Sequence, residues 1–454
     1  MVGSSGGRRR LPEALHNRDF ALLVFAGLAT NLAIQMLAVA IGWQVYNIHH
    51  RAFDLGLIGL LEFGPVFVLA LPAGALTDRV SRKLMLTAAA ILLAAIAAAL
   101  IVVSEDGARQ LWPFLALAAA SGVAEALSFP AMRALAPLLV SRGELPSALA
   151  VRSVASQIGT VAGPALGGLL FAIAPEVAYA AALGMFVFAS IATLLISLHG
   201  RATAVARAVS PISELLGGIN FIAATPMLLG AILLDLFAVL FGGAVALLPV
   251  FAQSILHVGP VGLGVLRSAP ALGAVLAGIL LVRAPLRLPA GPTLIAMVAV
   301  FGSSMVVFGL SRWIVVSLAA LLVSGFVDMF SVNIRSTTAT MITPDHVRGR
   351  VGSVESVFIG ASNQLGAFES GTAAALLGTV PSVVAGGAIT IAIALSWTKL
   401  FPSLAKLGRM SELRPVDTGD RAEDAEQPAP PTLQGTLAGP SAEVSAPATD
   451  RTAP

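Results

Sequence analysis

Twelve apolar stretches of about 20 residues or more, joined by short polar connectors, constrain this chain more than any other feature. They cover 20–46, 55–76, 84–103, 112–135, 149–172, 178–198, 222–252, 262–282, 290–310, 314–337, 352–378 and 382–402. An α-helix of about 20 residues crosses roughly 30 Å of hydrocarbon while satisfying its own backbone hydrogen bonds. Each stretch therefore reads as a spanning helix, and the chain as an all-α membrane protein. Charged residues make up only 11% of the chain, too few to clothe a soluble domain of this size. The net charge is +3, but the basic residues form no stripe that would track a nucleic acid. They collect instead at alternate connectors. Arg8 to Arg10, Arg79, Arg82, Lys83, Arg142, Arg201, Arg207, Arg283, Arg287, Arg348, Arg350 and Lys399 fall on one side, while Arg51, Arg109 and Arg312 fall on the other. Lys and Arg concentrate on the cytoplasmic side, so both termini are expected there, in a multi-pass protein of the cytoplasmic membrane.

The organisation expected along the chain is a cytoplasmic segment 1–19, a six-helix bundle 20–198, a cytoplasmic loop 199–221, a second six-helix bundle 222–402 and a disordered cytoplasmic tail 403–454. The N-terminal stretch is not a cleavable signal, because its first apolar run is too long for one. In the central loop, Ser210-Pro211 reads as a helix start, and Ile212, Leu215, Leu216, Ile219 and Ile222 recur at helical spacing. They predict a short helix on the membrane surface. The two bundles repeat at a shift of about 205 residues. Gly59 falls on Gly264, Pro65 on Pro270, Ser156-Gln157-Ile158-Gly159 on Asn363-Gln364-Leu365-Gly366, and Glu125 with Arg133 on Asp328 with Arg335. A six-plus-six repeat keeps both halves in one orientation about a central cavity.

Two motifs carry a family resemblance. Between the second and third spans stands Gly74-Ala-Leu-Thr-Asp78-Arg79-Val-Ser-Arg82-Lys83. In the fifth span stands Gly159-Thr-Val-Ala-Gly163-Pro164-Ala-Leu-Gly167-Gly168. The first resembles the cytoplasmic loop signature of the major facilitator superfamily, with Ser81 in place of the usual glycine. The second resembles the motif that marks exporters and antiporters of that superfamily. The resemblance extends over about residues 15–405 and is softest in its branch, which is similar to that of the enterobactin exporters. It implies a secondary transporter in which Gly74, Asp78, Arg79 and Arg82 latch one state of the cycle. Physically, Gly159, Gly163 and Gly167 at four-residue spacing leave one bare face for a partner helix, and Pro164 permits a bend. Small-residue packing alone would use the glycines in the same way. Ala118 replaces the family's buried fourth-helix arginine, so proton transfer by that group is not expected.

Charges inside the spans supply the remaining candidates. A charged residue at a helix centre costs about 2.5–3.5 kcal/mol on insertion scales, so such residues face a polar interior and find partners. Asp235 stands mid-span with no charge within a helical turn, and is expected to carry coupling protons or touch substrate. Glu62 and Arg267 occupy nearly equivalent repeat positions and could bridge the halves, or each could reach for outer water. Glu125 with Arg133, and Asp328 with Arg335, are expected as structural pairs or binding groups. Asn31 and Gln35 could line the cavity or serve as helix-packing amides.

No phosphate-binding lysine loop, zinc-binding histidine pair or serine-nucleophile motif is present, so neither cofactor, metal nor enzymatic activity is expected. His49-His50 is expected to be solvated. The resemblance implies a monomeric exporter of a small amphipathic molecule, a siderophore or a drug, driven by protons. An importer, a lysophospholipid transporter or a non-transporting scaffold of the same fold stand as alternatives.

Overall fold

The computed structural model describes residues 13–141, 143–197, 211–284 and 286–410, and the side chains of all these except 13, 14, 70–79, 133, 134, 211–215 and 346. The first half consists of α1 (Arg18–His49), α2 (Ala52–Arg79), α3 (Arg82–Glu105), α4 (Trp112–Leu139), α5 (Leu145–Ile173) and α6 (Pro175–Leu195). The short α7 (Pro211–Ala224) follows, then α8 (Pro226–Gly242), which continues through α9 (Leu248–Val250) and one π-helical turn, Phe251–Ile255. The second half is completed by α10 (Gly259–Arg283), α11 (Ala290–Leu310), α12 (Ile314–Ile342), α13 (Asp345–Leu377) and α14 (Thr379–Leu400), with α15 (Pro402–Ala405) behind them. No strand occurs among the described residues.

Helix starts follow the prolines. Pro113, Pro146, Pro175, Pro226 and Pro260 stand in first turns, where a missing N–H is not needed. Asn17 accepts hydrogen bonds from the Asp19 and Phe20 amides and donates to the Leu139 carbonyl at 2.6 Å. One side chain thus caps the start of α1 and the end of α4. Between α13 and α14 the turn needs φ of +90°, and glycine, Gly378, occupies it.

Among the described residues, eleven helices are long and apolar enough to cross a membrane. The twelfth expected span corresponds to α13. It has the length, 33 residues, but Glu355, Asn363, Gln364 and Glu369 lower its apolar character. It lies between α2, α8 and α14, and there Glu355 and Gln364 meet protein partners. Apolar side chains such as Val282, Leu376 and Ile173 cover the outer surface. Trp112 and Trp313, 66% and 75% exposed, sit at equivalent helix starts in the two halves. That is where an aromatic belt meets a membrane interface.

The pairing of helices repeats. In the first half α1 packs on α5 and α6, α3 on α4 and α6, and α2 on α4. In the second, α8 packs on α13 and α14, α11 on α12 and α14, and α10 on α12. The halves meet along two main seams, α5 with α10 and α2 with α13, related by the same pseudo-twofold axis.

Three sequence expectations change. The charged elbow is shorter than a loop, because α2 runs to Arg79 and α3 begins at Arg82. Chain order also extends past 403: Leu404 and Leu407 are buried, and the Ala290 and Gly291 amides donate to the Gly408 and Leu407 carbonyls. The rest of the expected tail, 411–454, lies outside the described residues. His49 is not simply solvated, since its Nδ1 lies 2.8 Å from Asp54 Oδ2.

Candidate functional site

The centre of the second half holds a buried ion cluster. Arg335 on α12 is only 4% exposed and its guanidinium pairs with Asp235 on α8. Its Nε lies 3.2 Å from Glu355 Oε1 on α13. One arginine thus joins α12 to its neighbour α13 and to α8, a hundred residues earlier in the chain. The sequence expectation of Asp235 as an isolated charge is corrected by this pairing. So is the expectation that Arg335 would serve Asp328, two turns away on the same helix. Asp328 lies instead beside Asp235, both lining a cavity of about 10 Å³ with Ser331, Val298 and Phe301. A second cavity, also about 10 Å³, touches Asp235, Arg335, Glu355 and Ser362. Each has room for about one water molecule.

The repeat places Asn31 where the second half has Asp235. Asn31 Nδ2 donates to the Ser156 carbonyl at 2.6 Å and to Thr160 Oγ1 at 3.1 Å, both on α5. The first half therefore joins its first and fifth spans through a neutral amide, where the second half uses an ion pair. Gln35 also meets α5, with its Cβ 2.6 Å from where a Cβ on Gly163 would stand. The same test puts Gly159 against Asn31 and Gly167 2.8 Å from Met36 Cα. The bare face of α5 therefore belongs to α1. Gly168 turns the other way, against Pro260 and Gly264 of α10. The buried Pro164 belongs to the same seam, its carbonyl facing Gly264.

Glu62 lies on the α2–α13 seam. It accepts a hydrogen bond from the Gln364 side chain and interacts electrostatically with Arg267 of α10 and Glu125 of α4. Glu62 and Arg267 are thus brought together across the halves, with Gln364 as the partner that sequence reasoning missed. The signal was available: Gln157, its repeat counterpart, likewise crosses to the other half, donating to the Ala271 carbonyl at 3.1 Å. Nearer the ends of α1 and α10, Tyr46 Oη and Ser254 Oγ are 2.8 Å apart, and Gln253 Nε2 donates to the Trp43 carbonyl at 3.1 Å. Both partners from the second half belong to the π-helical turn, a feature that often marks functional positions. Gly56 packs on Gly371 at the same end. Every one of these contacts lies between the α1–α2 turn and mid-span.

The loop signature is only partly visible. Lys83 Nζ donates to the Ile196 carbonyl at 2.7 Å and so caps α6, beside Arg82 at the start of α3. The side chains of Gly74, Asp78, Arg79 and Arg133 lie outside the described residues. Among the described residues no cluster of three or more potential metal ligands occurs.

The family described as "Transmembrane secretion effector" matches residues 13–423. The chain is 26% identical over 375 residues to the enterobactin exporter EntS of Shigella dysenteriae serotype 1 (strain Sd197), covering 81% of this chain and 88% of that protein. Its structure is similar to that of a bacterial homologue of the human lysosomal transporter Spinster, inward-facing and unoccupied. The TM-score is 0.67 at 15% identity, over 88% of this chain and 99% of that one. The nucleoside transporter NupG gives a TM-score of 0.68 at 12% identity, over 84% of this chain and all of NupG.

Proposed function

Because the chain belongs to the transmembrane secretion effector family of major facilitator transporters, we propose that it exports a small amphipathic molecule of the siderophore class in exchange for protons. It is a multi-pass membrane transporter related to a siderophore exporter. In this reading it works as a monomer in the cytoplasmic membrane with both termini inside, through its helices and without a cofactor. The observation that carries the reading is the Asp235–Arg335–Glu355 cluster. Two acids hold one arginine and a third, Asp328, shares a cavity with Asp235, so full ionisation leaves two uncompensated negative charges among apolar helices. Such charges are retained where protons or cargo move. Protonating Asp235 loosens its hold on Arg335 and lets α8 and α13 separate. The arginine then stays with Glu355. With the termini inside, the seams described above lie toward the outer end. Gly74, Asp78, Arg79 and Arg82 then latch the cycle from the cytoplasmic surface, and Glu62, Arg267 and Gln364 hold the outer seam.

Energised membrane vesicles loaded with a catecholate siderophore and assayed at two external pH values test the coupling. Asp235→Asn is expected to keep cargo binding but to lose pH-dependent accumulation, at least several-fold. Unchanged pH-dependent transport in that variant removes Asp235 from the coupling role. Uptake rather than release by the parent favours the importer. Reporter fusions after residues 200 and 409 are expected to report cytoplasm at both points, and a periplasmic signal at either one overturns the topology.

A further inference from the structure

The polar stripe of α12 holds more than the cluster uses. Asp328, Ser331, Arg335 and Thr338 follow one another at three- and four-residue spacing, so they share one helix face. Ser331 is only 5% exposed, lines the cavity between Asp328 and Asp235, and its hydroxyl has no hydrogen-bond partner among the described residues. A buried hydroxyl is ordinarily satisfied by protein or by an ordered water. The cavity has about the volume of one water and three polar groups around it, which is what a buried water needs.

We propose that Asp235 and Asp328 hold one exchangeable proton between them, passed through a single water that the Ser331 hydroxyl orients. The inference rests on the proton-coupled reading and assigns Asp328 and Ser331 a part in it. The charges around the pair explain why one proton is held. Among the described residues, Arg335 on α12 and Glu355 on α13 are the other ionic groups facing Asp235, while α11 contributes Met297, Val298 and Phe301 to the cavity and α14 sets Trp397 near α8. Arg335, Asp235 and Glu355 together carry one net negative charge. An ionised Asp328 on the same cavity would add a second, and a proton shared over the water removes it. Taking away either aspartate leaves the same net charge with no proton bound. Movement of the proton is a transfer along hydrogen bonds: the Asp328 carboxyl donates to the water, and the water donates to the Asp235 carboxylate. No bond other than O–H changes.

Infrared titration of the purified full chain in lipid, from acid to alkaline pH in light and heavy water, reads protonated carboxyls directly and needs no cargo. Asp235→Asn and Asp328→Asn are each expected to remove the same component of the protonated-carboxyl band, one carboxyl's worth. The double variant is expected to remove no more than either single one, because residues acting as a unit are not additive. Ser331→Ala is expected to keep the component but displace it, since the water loses a partner. Additive losses in the double variant overturn the proposal, as does an intact component in Asp328→Asn or a Ser331→Ala spectrum identical to the parent. The two readings fail separately: if vesicle transport stays pH-dependent in Asp235→Asn while the infrared pattern holds, the shared proton stands and its coupling to export falls.

Discussion

At Gly167 a single missing methyl group sets the distance between two helices. A Cβ there would stand 2.8 Å from the Cα of Met36 and 2.9 Å from its carbonyl oxygen, and backbone cannot swing aside as a side chain can. At Gly163 the obstacle is the Gln35 Cβ at 2.6 Å, itself fixed to the α1 backbone. Overpacking a well-filled interface costs typically about 1–3 kcal/mol. Alanine at either position is therefore expected to push α1 from α5 and to lower transport at least several-fold, with leucine abolishing it. Both alanine variants are expected to fall below the parent in the vesicle assay. Normal transport in Gly167→Ala would contradict the close approach. The glycine face was legible in the sequence because four-residue spacing is a helical period. The partners of Asp235 were not, because an ion pair joining residues a hundred positions apart leaves no periodic trace. Gln364 falls between these cases: the repeat already aligned it with Gln157, and only its reach across the seam needed coordinates.

Among the elements, α13 shows where hydropathy loses its meaning. A helix that faces lipid must be apolar, whereas α13 turns Glu355 toward Arg335 and Gln364 toward Glu62, so its polar residues report protein contacts. Its 33 residues match the expected span 352–378 extended by two turns at the start, where α7 rests on it. A helix over the stretch expected from Ile212 onward is present as α7, with Gly218 fitted against Arg350 and Val354 and Leu216 turned outward. In the sequence the α2–α3 elbow reads as a loop because charged residues interrupt the apolar run, but charge alone does not break a helix. Helix geometry continues to Arg79, so Asp78 stands in the last turn of α2. A carboxylate there opposes the helix dipole, which places negative charge at that end. Asp78→Asn is thus expected to leave membrane abundance near normal while lowering transport several-fold. Loss of the protein from the membrane would assign the residue a structural role instead.

For the whole molecule, the six-plus-six plan was legible because repeat, span count and connector charges are all encoded locally. What the sequence could not supply is the state in which the halves meet. That is decided by the sum of contacts along the α5–α10 and α2–α13 seams, no one of which has a signature. These seams predict a trap. The chain contains no cysteine, so a pair introduced by substitution has no competitor. A Cβ on Gly59 would lie 3.0 Å from the Ala367 Cβ, and disulfides span about 3.5–4.5 Å between Cβ atoms, so the backbones need part only by about half an ångström. Gly59→Cys with Ala367→Cys is therefore expected to cross-link under mild oxidation in native membranes. The bond joins α2 to α13 and prevents the halves from separating at this end, so transport should stop and return on reduction. Each single variant, carrying only one thiol, should keep most activity through the same treatment. The positions of the two helices in the membrane are read by the yield of cross-link. Their need to separate is read by the loss of transport. Full activity in a fully cross-linked protein would mean that the α2–α13 seam stays shut throughout the cycle, leaving α5 and α10 as the only route by which the outer end could open.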